Sequence, residues 1–254
     1  MTQRFTAADG IGIAYYRWGT PGALPPVVLQ HGFVANTQAN WVLPGVVEAL
    51  LAAGREVISV DARGHGESDK PYDSRFYGEE TMSGDLRALF DLLELDSVHL
   101  VGYSMGGIVS LLTAAADVRV SRLVVGGIGV DVTRFGDTDT RTKAGQAVAA
   151  VLLAEDPVEV DPLAGRFREL ADQLGSDRQA LAAQANAMHD KPIRFADIAA
   201  PTLVIAGAED PLAQRPETIA NAMPDARTLV LDGCDHLSAV VDKRFAPAIV
   251  DFLS

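Results

Sequence analysis

A serine at position 104 stands between two glycines, at a spacing that suits a nucleophile. Residues 102–106 are Gly-Tyr-Ser-Met-Gly; an apolar run precedes them at 98–101, and a Leu- and Ala-rich helical run follows at 105–116. A strand that turns directly into a helix strains the residue at the turn, and small residues on either side let the two arms approach. The hydroxyl is then raised to the positive end of a helix, which stabilises anionic charge. The alternative is a plain glycine-rich connection, but the flanking strand and helix favour Ser104 as a nucleophile.

A serine hydroxyl needs a neighbouring base, and five histidines are the candidates. Histidine suits this role because its ordinary pKa lies near neutrality. His99 lies in the apolar run before the serine, so we expect a structural or surface role. His31 and His65 stand in glycine loops, where loop hydrogen bonding is expected, and His189 is expected to be solvated, although a substrate could reach it. His236 follows the last predicted strand and is the predicted base.

The base in turn needs a carboxylate that orients its ring and stabilises its charged form. Asp210 follows the predicted strand at 202–206 in the loop Gly-Ala-Glu-Asp-Pro, and it is favoured there over Glu209. Asp235 is a rival because it adjoins His236, but adjacent side chains tend to diverge. The simpler interpretation of Asp210 is a turn residue before a proline. We predict Asp210 as the acid.

Acyl transfer at a serine also needs backbone N–H groups that bind the oxyanion. One is expected from Met105, directly after the nucleophile. The second is expected from Phe33, in the loop after the predicted strand at 27–30. Both act through their backbones in this interpretation, and their side chains can still line the pocket. Alternatively, the two residues are only apolar wall residues.

Strands and helices alternate through most of the chain, which predicts a parallel sheet covered on both faces. The candidate residues all follow strand ends, and the carboxyl ends of parallel strands share one edge, so nucleophile, acid and base should meet there. The predicted strands are 4–7 and 11–18 as a hairpin, then 27–30, 56–60, 98–101, 123–125, 202–206 and 228–231. The predicted helices are 42–53, 82–95, 105–116, 216–223 and 245–252.

The alternation stops between residues 131 and 191, which are Ala-rich and charged. We expect two to four helices there, for example at 141–154 and 180–189. An inserted helical segment usually lies over a site as a lid, so we divide the chain into a core, 1–130 and 192–254, and a cap, 131–191. A solvated helical decoration is the alternative. The tentative substrate contacts are Phe33, Tyr103, Phe135 and Met188.

The composition of the chain argues against several classes of binding partner. The chain has 254 residues, 48% of them hydrophobic, and a net charge of −13, so it repels nucleic-acid backbones and anionic lipid. The single cysteine excludes an intramolecular disulfide, and the cysteine and histidine spacings match no metal-binding motif. We find no apolar signal core and no run near the roughly 18 apolar residues of a membrane span. We expect a cytoplasmic protein without metal or cofactor that binds a small molecule.

Five segments together resemble the α/β-hydrolase fold family. They are His-Gly-Phe at 31–33, Asp-Ala-Arg-Gly-His-Gly-Glu-Ser at 61–68, Gly-Tyr-Ser-Met-Gly-Gly at 102–107, Gly-Ala-Glu-Asp at 207–210 and Cys-Asp-His at 234–236. They occur in the family's order of nucleophile, acid and base, and only the insert matches none of its motifs. The chain looks like the cofactor-free bacterial esterases and non-haem haloperoxidases, with related C–C bond hydrolases nearby.

The resemblance implies a mostly parallel sheet of about eight strands, with helices on both faces and a small helical cap. It implies that Arg63 and His65 are structural supports and that no cofactor is used. Haloalkane dehalogenases and epoxide hydrolases of this fold use an aspartate nucleophile. The serine at position 104 therefore argues against both of these enzyme classes. Lipases of the fold often carry a longer glycine run in the oxyanion loop, where this chain has only Gly32.

We therefore expect a serine hydrolase that cleaves carboxylic esters of small to medium size through an acyl-enzyme. Perhydrolysis, thioester or lactone cleavage and C–C hydrolysis remain open because they use the same residues. A slow-turnover ligand-binding protein and a cofactor-free lyase or cyclase are alternatives on the same fold.

Overall fold

An eight-stranded sheet forms the centre of the molecule in the computed structural model, which describes residues 2–136, 140–155 and 162–254. The strands are β1 (Gln3–Thr6), β2 (Gly12–Trp18), β3 (Val27–Gln30), β4 (Val57–Asp61), β5 (Val98–Tyr103), β6 (Val120–Gly126), β7 (Thr202–Gly207) and β8 (Ala226–Leu231). Their spatial order is β1-β2-β4-β3-β5-β6-β7-β8. The pairs β1–β2 and β2–β4 are antiparallel and all the others are parallel. The predicted α/β fold with about eight strands is confirmed.

Helices cover both faces of this sheet. They are α1 (Val46–Ala52), α2 (Glu79–Leu92), α3 (Met105–Ala116), α4 (Thr140–Leu153), α5 (Pro162–Leu174), α6 (Arg178–Ala185), α7 (Glu217–Asn221), α8 (Ser238–Val241) and α9 (Phe245–Leu253). Within the described ranges, none of these helices is both long and apolar enough to cross a bilayer.

The sheet separates two apolar clusters, which explains why its strands are apolar on both faces. Val28 on β3 packs into one cluster, with Leu86 of α2 and Val109 of α3. Its neighbour Leu29 packs into the other, with side chains of α1 and α9. Strands β3, β4, β5 and β7 are therefore buried along their whole length, whereas β8 at the edge of the sheet is partly exposed.

Several helix boundaries differ from the predicted ones for local reasons. The predicted helix at 42–53 is instead a π-helical turn, Gln38–Val42, followed by α1. Gly45 separates the two because it takes a left-handed conformation, with φ +80°. Helix α2 begins three residues earlier than predicted, and Glu79 and Glu80 in its first turn favour that start by their charge.

The insert carries α4, α5 and α6 between β6 and β7. The predicted helix at 180–189 is shorter at its end and begins at Arg178, because the Asp177 side chain accepts hydrogen bonds from two N–H groups of the first turn. Tight packing joins α6 to α4, since a Cβ added at Gly145 would lie 2.1 Å from the carbonyl oxygen of Ala185.

Candidate active site

Ser104 lies at the sharp turn between β5 and α3, as predicted. Its backbone is in a strained conformation, with φ +54° and ψ −118°. A Cβ added at Gly102 would lie 2.1 Å from the carbonyl oxygen of Gly106, and one added at Gly106 would lie 2.0 Å from that of Gln30. The turn therefore requires glycine at both positions. Its geometry leaves the Ser104 side chain partly exposed at the edge of the sheet.

Two side chains from other strand ends meet Ser104 there. His236 Nε2 lies 3.0 Å from Ser104 Oγ, and His236 Nδ1 lies 2.8 Å from Asp210 Oδ2. The other carboxylate oxygen of Asp210 accepts a hydrogen bond of 2.8 Å from the N–H of Leu212. His236 and Asp210 are both buried. The three predicted residues thus form a hydrogen-bonded chain from hydroxyl to imidazole to carboxylate.

Tyr103 holds the backbone of the histidine in this chain. Its hydroxyl donates a 2.7 Å hydrogen bond to the carbonyl oxygen of His236, and the two rings lie 5.4 Å apart. Burial, reinforced by the nearby carboxylates of Asp210 and Asp235, raises the pKa of Tyr103 well above its ordinary value, so it stays a donor. Its ring packs on Phe245 of α9, on the sheet face opposite to Met105. The sequence suggested Tyr103 as a substrate contact. In the structure, its side chain instead binds the backbone of His236 and packs on Phe245.

Asp235, the rival acid, is engaged elsewhere. Its Oδ1 accepts hydrogen bonds from the N–H groups of Leu237 and Ser238, at 3.1 and 2.9 Å. Hydrogen bonds from Ser238 hold the pKa of Asp235 below its ordinary value. The other oxygen lies 3.5 Å from Arg166 of α5. Asp235 therefore stabilises the start of α8, while Asp210 contacts the imidazole.

The loop after β3 passes directly beside the nucleophile. A Cβ added at Gly32 would lie 3.3 Å from Cβ of Ser104, and the N–H of Gly32 donates to Asn40 Oδ1 at 2.9 Å. Within the part of the chain that the structure describes, the N–H groups of Phe33 and Met105 donate to no protein acceptor. No protein acceptor in the described residues therefore occupies either of the two N–H groups predicted to bind the oxyanion.

Sequence reasoning missed Asn40. The π-helical turn Gln38–Val42 returns the chain toward Gly32, and no local sequence pattern announces that contact.

Two buried histidines support the same loop, as the sequence suggested. His31 Nε2 accepts from the N–H of Ala62 at 2.9 Å, and His65 Nε2 accepts from the N–H of Val34 at 3.2 Å. Burial lowers the pKa of both rings, to about 3 for His65, so both stay neutral and can accept. Arg63 is buried too and pairs with carboxylates, which agrees with its expected supporting role.

The insert contacts the site at the loop after β3 and at the first residue of α3. Phe167 of α5 makes an edge-to-face contact with Phe33, with ring centroids 5.5 Å apart. The amide of Gln184 on α6 donates to Met105 Sδ. Phe135 and Met188, the other tentative substrate contacts, lie within the insert, Phe135 beside the His189 ring at 6.1 Å and Met188 beside α4.

The prediction that His189 is solvated is wrong. Its side chain is buried, because its backbone N–H donates to the Glu79 carboxylate at 2.6 Å and its ring packs on Phe135.

The fold and this site define an α/β hydrolase, and the chain belongs to the α/β-hydrolase family, whose model matches residues 27–248. A hydrolase from Paraburkholderia xenovorans that acts on 2-hydroxy-6-oxononadienedioate and the corresponding trienedioate is 29% identical over 99% of this chain and 94% of its own length. The sn-1-specific diacylglycerol lipase of Mus musculus is 39% identical over 60% of this chain. The chain spans 47% of that lipase, and about half the length of several curated relatives.

Among solved structures, a hydrolase from Pseudomonas aeruginosa superposes with a TM-score of 0.78 at 28% identity. The match covers 100% of this chain and 98% of that one. Solved structures of the same fold include an enol-lactonase from Burkholderia xenovorans and an esterase from Thermogutta terrifontis, each 24% identical to this chain, with TM-scores of 0.73 and 0.77.

Proposed function

We propose that this protein is a serine hydrolase that cleaves carboxylic esters of small to medium size. The observation that carries the proposal is the 3.0 Å contact of His236 Nε2 with Ser104 Oγ, at a turn whose backbone holds the hydroxyl in place. An esterase needs a nucleophile, a base and an orienting acid, and the contacts of Ser104 with His236 and of His236 with Asp210 support these roles.

In the first half of the reaction, Ser104 Oγ attacks the ester carbonyl while His236 Nε2 takes its proton. Asp210 accepts from His236 Nδ1–H and stabilises the imidazolium that forms. The negative charge that develops on the carbonyl oxygen is held by the N–H groups of Phe33 and Met105. His236 then gives its proton to the leaving alcohol, and the acyl group stays on Ser104.

In the second half, a water molecule attacks the acyl-enzyme. His236 again acts as the base and removes a proton from that water, and the same two N–H groups hold the oxyanion. The acid leaves, and Ser104 regains its proton from the imidazolium. The site residues return to their starting state, so this reaction needs no cofactor.

The test compares Ser104→Ala with the wild-type protein on p-nitrophenyl esters of graded chain length. Turnover should fall to near background, a loss of at least about a thousandfold, because the nucleophile is gone. Ser121→Ala is the matched control, since Ser121 is an exposed serine on β6. A Ser104→Ala enzyme that keeps more than about a tenth of the activity would exclude Ser104 as nucleophile.

Labelling with a fluorophosphonate separates an enzyme from a ligand-binding protein on the same fold. Fast labelling at Ser104 together with turnover supports the esterase. Labelling without turnover of any ester would favour the ligand-binding alternative.

A second candidate, C–C bond hydrolysis, is favoured by the Paraburkholderia xenovorans relative, which aligns over nearly the full length of both chains. It uses the same serine, histidine and aspartate. The discriminating measurement is kcat/KM for a 2-hydroxy-6-oxo dienoate, the class in that relative's name, against kcat/KM for the best ester. A preference for the dienoate above about a hundredfold would replace the esterase proposal.

A further inference from the structure

Gln184 is the one polar residue among the buried positions of α6. Its neighbours on that helix are Ala180, Leu181, Ala182, Ala183 and Ala185, all buried, and Gln184 itself is only 2% exposed. An amide in such surroundings is costly unless both of its ends are hydrogen-bonded.

Only one end of this amide has a partner. The nitrogen of Gln184 donates to Met105 Sδ, a thioether that can accept but cannot donate. The oxygen end therefore points away from the sulfur. Oε1 is buried and has no hydrogen-bond partner in the described part of the chain. A methionine or leucine would fill the same space without leaving an acceptor unpaired, so packing alone does not explain a glutamine here.

The nitrogen end of the same amide contacts the residue that follows Ser104. Met105 directly follows the nucleophile and offers one of the two N–H groups for the oxyanion. The side chain that touches Gln184 thus belongs to the residue that carries this N–H group. On the same side, Phe167 of α5 covers Phe33, so the insert meets both halves of the oxyanion loop.

Two polar contacts between the insert and the rest of the site are long. The hydroxyl of Ser176 reaches the carbonyl oxygen of Val34 at 3.4 Å, and Arg166 reaches Asp235 at 3.5 Å between exposed side chains. Because Oε1 is buried, α5 and α6 must move away from Met105 before a ligand can reach that oxygen.

We propose that Gln184 determines substrate specificity by accepting a hydrogen bond from a donor group, a hydroxyl or an amide N–H, on the acyl chain of the substrate. This inference rests on the proposed ester hydrolysis and narrows it to esters of hydroxylated or amide-bearing acids. The bound donor completes the hydrogen bonding of an amide that the protein leaves half satisfied.

The test uses three p-nitrophenyl esters of equal chain length, those of butyric, 3-hydroxybutyric and 3-methoxybutyric acid. The measured quantity is the ratio of kcat/KM for the hydroxy ester to kcat/KM for butyrate. The wild-type ratio should exceed that of Gln184→Met about tenfold, the factor expected for one hydrogen bond. The methoxy ester cannot donate, so its ratio to butyrate should be the same in both proteins.

Gln179→Met is the matched control, because Gln179 lies on the same helix with its side chain exposed. Its ratio should equal the wild-type one. Gln184→Leu is a second apolar replacement, and both Gln184 variants should melt at or above the wild-type temperature, since they remove an unpaired buried acceptor.

Three results would overturn the inference. One is an unchanged hydroxy-to-butyrate ratio in Gln184→Met while butyrate is still turned over, which leaves the esterase proposal intact. Another is a loss of folding in both Gln184 variants, or an equal loss on all three esters, either of which assigns the amide a structural role. The third is absence of Ser104-dependent turnover on butyrate in the wild type, which ends both proposals together.

Discussion

Replacing Asp210 by asparagine tests the catalytic geometry most directly, because the structure dictates how the new amide must sit. In the native site, Oδ1 accepts from the N–H of Leu212 and Oδ2 accepts from His236 Nδ1–H. An asparagine has one acceptor and one donor end. The N–H of Leu212 can only donate and therefore pairs with the oxygen, so the NH₂ group faces His236.

The imidazole then has to accept at Nδ1, which places its proton on Nε2. That proton faces Ser104 Oγ at 3.0 Å, and the ring can no longer take the proton of the hydroxyl. The counterpart replacement in a serine protease lowers kcat by about 10⁴. We expect Asp210→Asn to lower kcat by at least about a hundredfold, equivalent to about 2.7 kcal/mol of transition-state stabilisation, with little change in KM.

Asp235→Asn is the matched control, because it makes the same chemical change beside the same histidine. Its Oδ1 can still accept from the N–H groups of Leu237 and Ser238. Only the 3.5 Å pair with Arg166 is lost, and an exposed pair of that kind is worth about 0–1 kcal/mol. The expected loss in kcat is below about tenfold.

Both variants are assayed side by side on one activated ester, with labelling rates by a fluorophosphonate as a second readout. The reverse ordering of the two losses would move the acid to Asp235. An Asp210→Asn enzyme within about tenfold of the wild type would show that the tautomer argument fails.

Two further predictions concern what supports the site. Tyr103→Phe leaves the carbonyl oxygen of His236 without its donor, so the free energy of unfolding should fall by about 1–3 kcal/mol, and kcat should fall more than KM changes; an unchanged kcat would show that the bond does not position the ring. Low pH should destabilise the fold. Burial lowers the pKa of three histidines, His31, His65 (to about 3) and His99 (to about 4). The unfolded chain therefore binds protons that the native protein does not bind. As pH falls from about 6.5 to about 4.5, His65 and His99 should each lower the free energy of unfolding by up to about 1.4 kcal/mol per pH unit, and His99→Gln should remove the His99 contribution to that slope.

A urea series in which stability is flat or rises between pH 6.5 and 4.5 would contradict this sign. For the His99→Gln comparison, the slope is the relevant quantity and not the stability at neutral pH. His99 Nδ1 lies 2.8 Å from a guanidinium nitrogen of Arg55, and the substitution changes that contact as well.

The position of Ser104 at a sharp turn was predictable from sequence because the requirements of that turn are local. Ser104 needs glycine at positions 102 and 106 for steric reasons that hold within five residues, and the structure shows the close approaches that impose them. Asp210 and His236 were predictable for a related reason. Each follows a strand, and a parallel sheet brings all strand ends to one edge whatever the intervening chain does.

Other features depend on contacts that no sequence window contains. His189 lies in a polar stretch and was expected in water, yet the Glu79 carboxylate, 110 residues away, binds its backbone and buries it. The start of α1 was misplaced because the left-handed Gly45 divides what appeared to be one helix. Asn40 comes to the oxyanion loop only through a π-helical turn.

The same distinction between local and long-range determinants applies to the residues proposed for the reaction and to those proposed for substrate specificity. The reaction needs groups whose places are set by strand ends and by one strained turn, so sequence spacing already predicts them. In our proposal, the substrate is selected where Gln184 and Phe167 of the insert contact Met105 and Phe33. Gln184 and Met105 are 79 positions apart in the sequence. A change in the insert can therefore alter which acyl chain fits while leaving Ser104, His236 and Asp210 in register, and the paired measurements on Gln184 and Asp210 separate these two effects.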